Sequence, residues 1–161
     1  HFLRRSRHVN GQDSPIDGSH LLGPRDTVWS VRSRRFPIQY DIPEPLVDET
    51  VYLSDPSSFN LTVVGGHLIL PNAGHGGILI YRRYFDQEYY DFAAYELACP
   101  YHWNDGCGLI SSSMGDLYLT CGCNDHQCQA LDGQSIDTAY VLPVKEFSCQ
   151  FDGGNILRIT N

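Results

Sequence analysis

The chain has 161 residues, which is enough for one domain with its own core and too few for two comfortable ones. Fifteen glycines, nine prolines and ten tyrosines beside a single methionine predict many short strands joined by turns, and little helix. The formal net charge of −8 disfavours nucleic acid as a partner, because phosphate would repel an acidic domain. No apolar run reaches the roughly 18 residues of a membrane-spanning helix, so we expect no transmembrane segment.

Charge divides the chain into two unequal parts. Residues 1–35 hold seven arginines and three aspartates, a net charge of +4, whereas residues 36–161 carry a net charge of −12. Glycine and proline interrupt residues 1–35, which show no sustained hydrophobic period. We therefore predict an extended basic N-terminal arm over 1–35 and a β domain over 36–161. The arm is expected to contact an acidic partner, anionic lipid or its own acidic domain, and a solvated tail is the plainer explanation.

The β domain shows a regular rhythm of strands and turns. Alternating or continuous apolar segments are bounded by Gly, Pro, Asn and Asp, as in antiparallel sheets. The predicted strands cover residues 38–42, 51–53, 60–64, 67–70, 77–82, 89–97, 117–120, 147–151 and 156–160. This pattern predicts an all-β fold.

Aromatic side chains are concentrated around the fifth and sixth of these strands. A core face together with one exposed aromatic patch accounts for them better than a carbohydrate or peptide groove does. The members are Tyr81, Tyr84, Phe85, Tyr89, Tyr90, Phe92 and Tyr95.

Six cysteines occur in the chain, all between Cys99 and Cys149. Their even number favours disulfides and an oxidising compartment, although metal ligation in the cytosol would give the same count. Two short boxes carry most of them. The first is Cys99-Pro-Tyr-His102 with Cys107 beyond it, and the second runs over residues 121–128. One Cys/His box on each of two loops is a typical way to gather ligands around one metal centre.

These boxes resemble those of the Rieske family, which hold a two-iron cluster and add two cysteines that bridge the loops. The resemblance covers about residues 50–161. It is closer still to the Rieske-like lipoproteins of Gram-negative bacteria, through residues 65–67 (GGH), 77–82 (GILIYR), 94–102 (AYELACPYH) and 159–161 (ITN). The resemblance implies small antiparallel sheets with both Cys/His loops at one tip, and a Cys107–Cys123 disulfide between them. It also implies a protein of the periplasm or outer membrane, with a lipid anchor upstream of His1.

The ligand positions depart from the family pattern. His102 follows Cys99 by three residues, where the family has two. When the second box is aligned on the Asp-Gly turn at residues 132–133, Cys121 takes the cysteine-ligand position and Asn124 takes the position of the histidine ligand. An amide oxygen binds iron far more weakly than imidazole does. We therefore expect no cofactor and no catalytic residues. The predicted function is that of a non-enzymatic accessory or binding protein with a degenerate Rieske-like domain.

Such a protein would be a subunit of a larger cell-envelope complex, contacting a protein partner through its basic arm and aromatic patch. One alternative is an electron-transfer protein with a 2Fe-2S cluster, and another is a zinc-stabilised structural domain. A third is an enzyme subunit whose active centre lies in another chain. A second box shifted by two residues, running from Cys123 to His126, would give Cys99, His102, Cys123 and His126 as ligands for either a cluster or zinc. The full set of candidate ligands is Cys99, His102, Cys121, Cys123 and His126.

If no metal binds, the four cysteines outside the Cys107–Cys123 pair can form further disulfides or remain as thiols. Two thiolates on one metal lie about 3.7 Å apart, so Cys99 and Cys121 are expected near enough to form a disulfide after a small shift. Cys128 and Cys149 are expected either to form a third bridge or to remain as two buried thiols.

Overall fold

A computed structural model of the protein describes residues 40–85, 91–112 and 117–161. The predicted arm lies outside the described residues and stays a prediction. The described part contains nine strands and one 3-10 helix. The strands are β1 (Asp48–Tyr52), β2 (His67–Leu70), β3 (Ile78–Arg82), β4 (Phe92–Glu96), β5 (Ile110–Ser111), β6 (Tyr118–Cys121), β7 (Gln127–Gln129), β8 (Glu146–Phe151) and β9 (Ile156–Thr160), and the helix is Pro56–Thr62.

The strands form two antiparallel sheets. The larger is a six-stranded half-barrel in the order β1-β9-β8-β4-β3-β2, and the smaller has the order β5-β6-β7. The prediction of an antiparallel, mostly β fold is thus confirmed. Among the described residues, no helix has both the length and the apolar character needed to cross a membrane.

Strands β3 and β4 are buried along their whole length. Two apolar cores lie on opposite faces of these two strands. Alternate residues of a strand point to opposite faces, so Ile78 and Ile80 enter one core while Leu79 and Tyr81 enter the other. The half-barrel core comprises Val47, Val51, Leu61, Ala73, Ile78, Ile80, Phe92, Ala94, Phe147, Leu157 and Ile159. The cysteine core comprises Leu79, Tyr81, Ala93, Tyr95, Leu97, Cys99, Ile110, Leu119, Cys121, Cys128, Ala130 and Val144.

The prediction of a strand over residues 60–64 is wrong, because this segment belongs to the 3-10 helix and the turn that follows it. Pro56 stands at the start of the helix, where its fixed φ suits the first turn and its missing N–H leaves no bond unmade. Ser58 and Leu61 are the buried residues of the helix. Their spacing of three residues places them on one face of a helix with three residues per turn.

The strand predicted over residues 38–42 is not formed within its described portion. Residues 40–42 belong to no strand, although Ile42 is buried. Pro43 and Pro45 follow directly, and each lacks the N–H that a sheet would require. This stretch therefore packs as an extended segment, with the Tyr40 hydroxyl donating a hydrogen bond to the Val144 carbonyl at 3.3 Å.

The aromatic run divides between core and surface. Its buried members are Tyr81, Phe92 and Tyr95, whereas Tyr84 and Phe85 are 43% and 49% exposed. Its other members, Tyr89 and Tyr90, lie outside the described residues.

Candidate metal centre

The two cysteine boxes meet because the smaller sheet pairs their ends. The segment after β4 extends through a bridge between Ala98 and Leu109, and the Cys99 N–H donates to the Gly108 carbonyl at 2.8 Å. The chain then enters β5, where Ile110 pairs with Cys121 at the end of β6. This register brings the first box alongside Cys121.

Cys99, His102 and Cys121 converge at this point. Their possible ligand atoms all lie within 4.8 Å of one another. Nδ1 of His102 is 3.8 Å from Sγ of Cys99 and 3.6 Å from Sγ of Cys121. Both thiols are buried and the imidazole is half-buried. The three side chains thus form a compact donor group just beneath the surface.

Tight turns and glycines make this convergence possible. The His102 N–H donates to the Cys99 carbonyl at 3.2 Å, which folds the first box back on itself. A Cβ on Gly108 would lie 1.7 Å from the His102 carbonyl oxygen, and one on Gly122 would lie 2.7 Å from the Cys107 carbonyl oxygen. Only glycine allows such close backbone approach at these two positions.

The environment of Cys99 favours the neutral thiol. Burial, and to a lesser extent the hydrogen bond with Cys121, raise the pKa of Cys99 to about 12. The nearby backbone N–H groups of Tyr101 and His102 act in the opposite direction and lower that pKa. Without a cation, therefore, Cys99 holds its proton at neutral pH.

A disulfide joins Cys107 to Cys123, with Cα atoms 5.0 Å apart. The disulfide that the family resemblance implied is thereby confirmed. It links the loop that follows the first box to the loop between β6 and β7. Since both sulfurs are used in this bond, Cys123 offers no thiolate to the donor group in this structure.

The other four cysteines are free thiols. The suggested Cys99–Cys121 disulfide is not formed, and the imidazole of His102 lies against both of these sulfurs. Cys128 and Cys149 likewise remain two separate thiols. Cys128 belongs to the cysteine core, whereas Cys149 packs against the half-barrel core with Phe151. Their location in different cores explains why they do not pair.

His126 is buried beside the donor group but belongs to another set of contacts. Its Nε2 lies 3.1 Å from Oγ of Ser135 and 3.6 Å from Sγ of Cys128. Its ring packs against Tyr101 and Tyr140, with centroid distances of 5.4 and 5.6 Å. Burial lowers the pKa of His126, against a raising effect of Asp137. His126 is therefore held as a neutral residue of the packed interior.

Asn124, which the alignment placed at the missing histidine ligand, stabilises the loop. Its Oδ1 accepts a hydrogen bond from the His126 N–H at 3.2 Å. Asp125 adopts a left-handed conformation with φ of 55°, which tightens the same turn. This geometry turns the chain sharply between β6 and β7.

Glu96 supports the site and was not foreseen from the sequence. Its buried carboxylate accepts backbone hydrogen bonds from His75 and Gly76, each at 2.7 Å, and from Ala98 at 3.0 Å. These bonds tie the turn between β2 and β3 to the segment that enters the first box. The one signal in the sequence was that Glu96 is an acidic residue in an otherwise apolar strand. The turn that it contacts, between β2 and β3, is rich in glycine.

The donor group can be tested against the two metals that the sequence suggested. A Rieske cluster needs two thiolates and two imidazoles, whereas the group assembled in the described residues contains two thiols and one imidazole. The cluster therefore does not fit these donors. Zinc accepts two cysteines and one histidine with water in the fourth position, and this set does fit.

No protein-family model and no curated protein matches the chain. The resemblance to the Rieske family thus rests on the motifs of this chain alone.

Proposed function

We propose that residues 36–161 form a Rieske-like domain that carries no iron–sulfur cluster and serves as a non-enzymatic accessory subunit of a cell-envelope complex. Three features support the resemblance: the order of the family-like segments, the antiparallel sheets, and the disulfide between the two box-bearing loops.

The composition of the donor group carries the proposal. One imidazole, that of His102, lies beside two thiols. The other histidine among the candidate ligands, His126, contacts Ser135 and Cys128 instead. With a single imidazole, one iron of a Rieske cluster would lack a ligand and would be open to water and oxidation. We infer that the family architecture persists here without its electron-transfer chemistry.

The buried charged groups support a structural role for the domain. The Glu96 carboxylate is bonded by three backbone N–H groups. Arg82 pairs with Asp91 at 3.2 Å, and its guanidinium stacks 4.2 Å from the Phe92 ring centroid. In both arrangements the charge is compensated by contacts within the fold.

Binding to a partner is supported by the charge of the arm and by exposed apolar side chains. Tyr84 and Phe85 follow β3, and Val63 and Val64 follow the 3-10 helix, all four with large exposed fractions. The Gly65 N–H donates to the Arg82 carbonyl at 2.9 Å, which brings the two segments together. A partner with an apolar surface would complement this patch, and acidic groups on a partner would complement the basic arm.

The absence of a cluster is tested by expressing the full chain with iron available. Visible absorption and low-temperature electron paramagnetic resonance after reduction are expected to show no Rieske signal, because the second imidazole is missing. A Rieske signal that disappears in His126→Ala and persists in Asn124→Ala would overturn the proposal. It would show that the loop from residue 121 to 128 rearranges around a cluster.

The partner role is tested by comparing the full chain with one that lacks residues 1–35. Both are incubated with solubilised envelope proteins, and the retained complexes are identified. We expect the truncated chain to retain less partner, with the difference shrinking as salt rises through about 0.15 M, where screening acts over roughly 8 Å. Equal retention by both chains would remove the arm from the interface.

A further inference from the structure

We propose that Cys99, His102 and Cys121 bind one zinc ion, with water in the fourth coordination position. The proposal extends beyond the accessory role and does not depend on it. It also differs from the ligand set favoured by the shifted second box, because Cys121 replaces Cys123 and His126 takes no part.

The two sulfur–nitrogen distances of the donor group match a tetrahedral zinc site. Zinc–sulfur bonds of about 2.3 Å and zinc–nitrogen bonds of about 2.05 Å, at tetrahedral angles, separate sulfur from nitrogen by about 3.6 Å. Nδ1 of His102 lies 3.6 Å from Sγ of Cys121 and 3.8 Å from Sγ of Cys99. Both sulfur–nitrogen distances are therefore within a few tenths of an ångström of the tetrahedral value, and all three donor atoms lie within 4.8 Å of one another.

Charge balance favours a divalent cation at this depth. Cys99 and Cys121 are at most 1% exposed, so a lone thiolate there would be poorly solvated. Two thiolates and a neutral imidazole around Zn²⁺ carry no net charge, which removes most of the cost of burial. A tetrahedral set of sulfur and nitrogen donors also suits zinc better than calcium or magnesium, which prefer oxygen.

The surrounding structure holds the donors in place before any ion arrives. The His102 N–H donates to the Cys99 carbonyl at 3.2 Å and the Cys99 N–H donates to the Gly108 carbonyl at 2.8 Å, so the backbone that carries these two donors is fixed by hydrogen bonds. The Cys107–Cys123 disulfide joins the loops from the side and does not use the donor atoms. Zinc binding therefore requires little ordering of the chain.

The neighbouring groups leave the fourth position to solvent. Cys123 is used in the disulfide, and His126 contacts Ser135 and Cys128. The half-buried imidazole of His102 brings the edge of the group close to the surface. A water molecule, or an added monodentate ligand such as imidazole, completes the tetrahedron from that side.

The test uses the full chain, freed of metal with a chelator and kept without reductant so that the disulfide persists. Titration with Co²⁺ reports the site, because tetrahedral cobalt bound by thiolates absorbs strongly in the visible. We expect one Co²⁺ per chain, displaced by one Zn²⁺, and a change of the cobalt spectrum when imidazole is added. We also expect bound zinc to slow alkylation of two of the four free thiols.

Variants assign the ligands. Cys99→Ser and Cys121→Ser are expected to abolish the cobalt spectrum. His102→Asn, at a half-exposed position that puts little stress on the core, is expected to weaken binding by at least about tenfold. The matched controls are Cys128→Ser, which alters another buried thiol of the same core, and His126→Ala. Both are expected to bind Co²⁺ as the parent does. Circular dichroism checks that each variant is folded.

Several results would overturn the proposal. The first is that the folded parent, with four titratable thiols, binds neither Co²⁺ nor Zn²⁺. The second is that folded His102→Asn binds as the parent does, and the third is that a folded control loses binding. A Cys99–Cys121 disulfide in the isolated protein would do the same. A cobalt spectrum unaffected by imidazole would exclude the open fourth position. None of these results depends on whether the arm binds a partner.

Discussion

The half-barrel core and the cysteine core share β3 and β4 but are closed by different means. The half-barrel core is enclosed by strands of four to six residues and is built mainly of aliphatic and aromatic side chains. The cysteine core is covered by strands of two to four residues and contains three free thiols. Short strands bury little area, so a disulfide and a buried carboxylate hold the loops there. Small or loop-rich regions generally need such supports.

The largest expected effect tests the purely apolar side of this comparison. Leu157 is fully buried in the half-barrel core. Leu157→Ala is expected to lower the free energy of unfolding by about 2–5 kcal/mol, because it removes buried methyl groups and leaves a cavity. Urea denaturation followed by fluorescence measures the loss.

The matched control for this substitution is Leu46→Ala, at a leucine that is 91% exposed. It is expected to change the free energy of unfolding by less than about 0.5 kcal/mol. Equal effects of the two substitutions would show that the half-barrel core is not tightly packed.

The next effect concerns the covalent support of the cysteine core. Replacing both Cys107 and Cys123 by serine opens a disulfide whose ends are 16 residues apart. A loop of this length is expected to contribute about 3 kcal/mol, chiefly by restricting the unfolded chain. Urea denaturation of the double variant is compared with that of Cys149→Ser, which removes a free thiol. An unchanged free energy of unfolding in the double variant would mean that packing alone holds the two loops.

The smallest effect concerns His126, the buried imidazole of the same region. Burial lowers its pKa in the folded state below the value of about 6.5 found in an unfolded chain. At pH below about 6.5 the unfolded chain binds a proton that the folded protein resists, so stability falls as pH decreases. Above about pH 7 both states are neutral at this residue and its contribution is constant. The slope is at most about 1.4 kcal/mol per pH unit, the value for one proton.

Urea denaturation between pH 7.5 and 5.5, with a chelator present, measures this dependence. Asp137 opposes the lowering of the His126 pKa and His102 adds to it, so the difference between the parent and His126→Asn isolates the contribution of His126. The variant is expected to show a shallower decline in acid. Parallel curves for the two proteins would mean that His126 is readily protonated in the folded state.

Local sequence signals predicted much of the sheet but failed where proline and burial acted together. The strands predicted over residues 77–82, 147–151 and 156–160 correspond closely to β3, β8 and β9, since apolar runs bounded by turn residues fix their positions. Residues 60–64 carried the same apolar signal. There the alignment of Leu61 with Ser58 on one buried face, after Pro56, produced a 3-10 helix instead.

The sequence by itself determined the half-barrel strands, the two cysteine boxes and, through a family resemblance, the Cys107–Cys123 bond. It left the ligand set open, because the five candidate Cys and His ligands between residues 99 and 126 can be combined in several ways. The tertiary structure chose among them through register and turns. Pairing of Cys121 with Ile110 directs that thiol to Cys99, and the turn after Gly122 sends Cys123 to Cys107. Which donors meet depends on contacts between residues far apart in the chain, and spacing along one chain does not record those contacts.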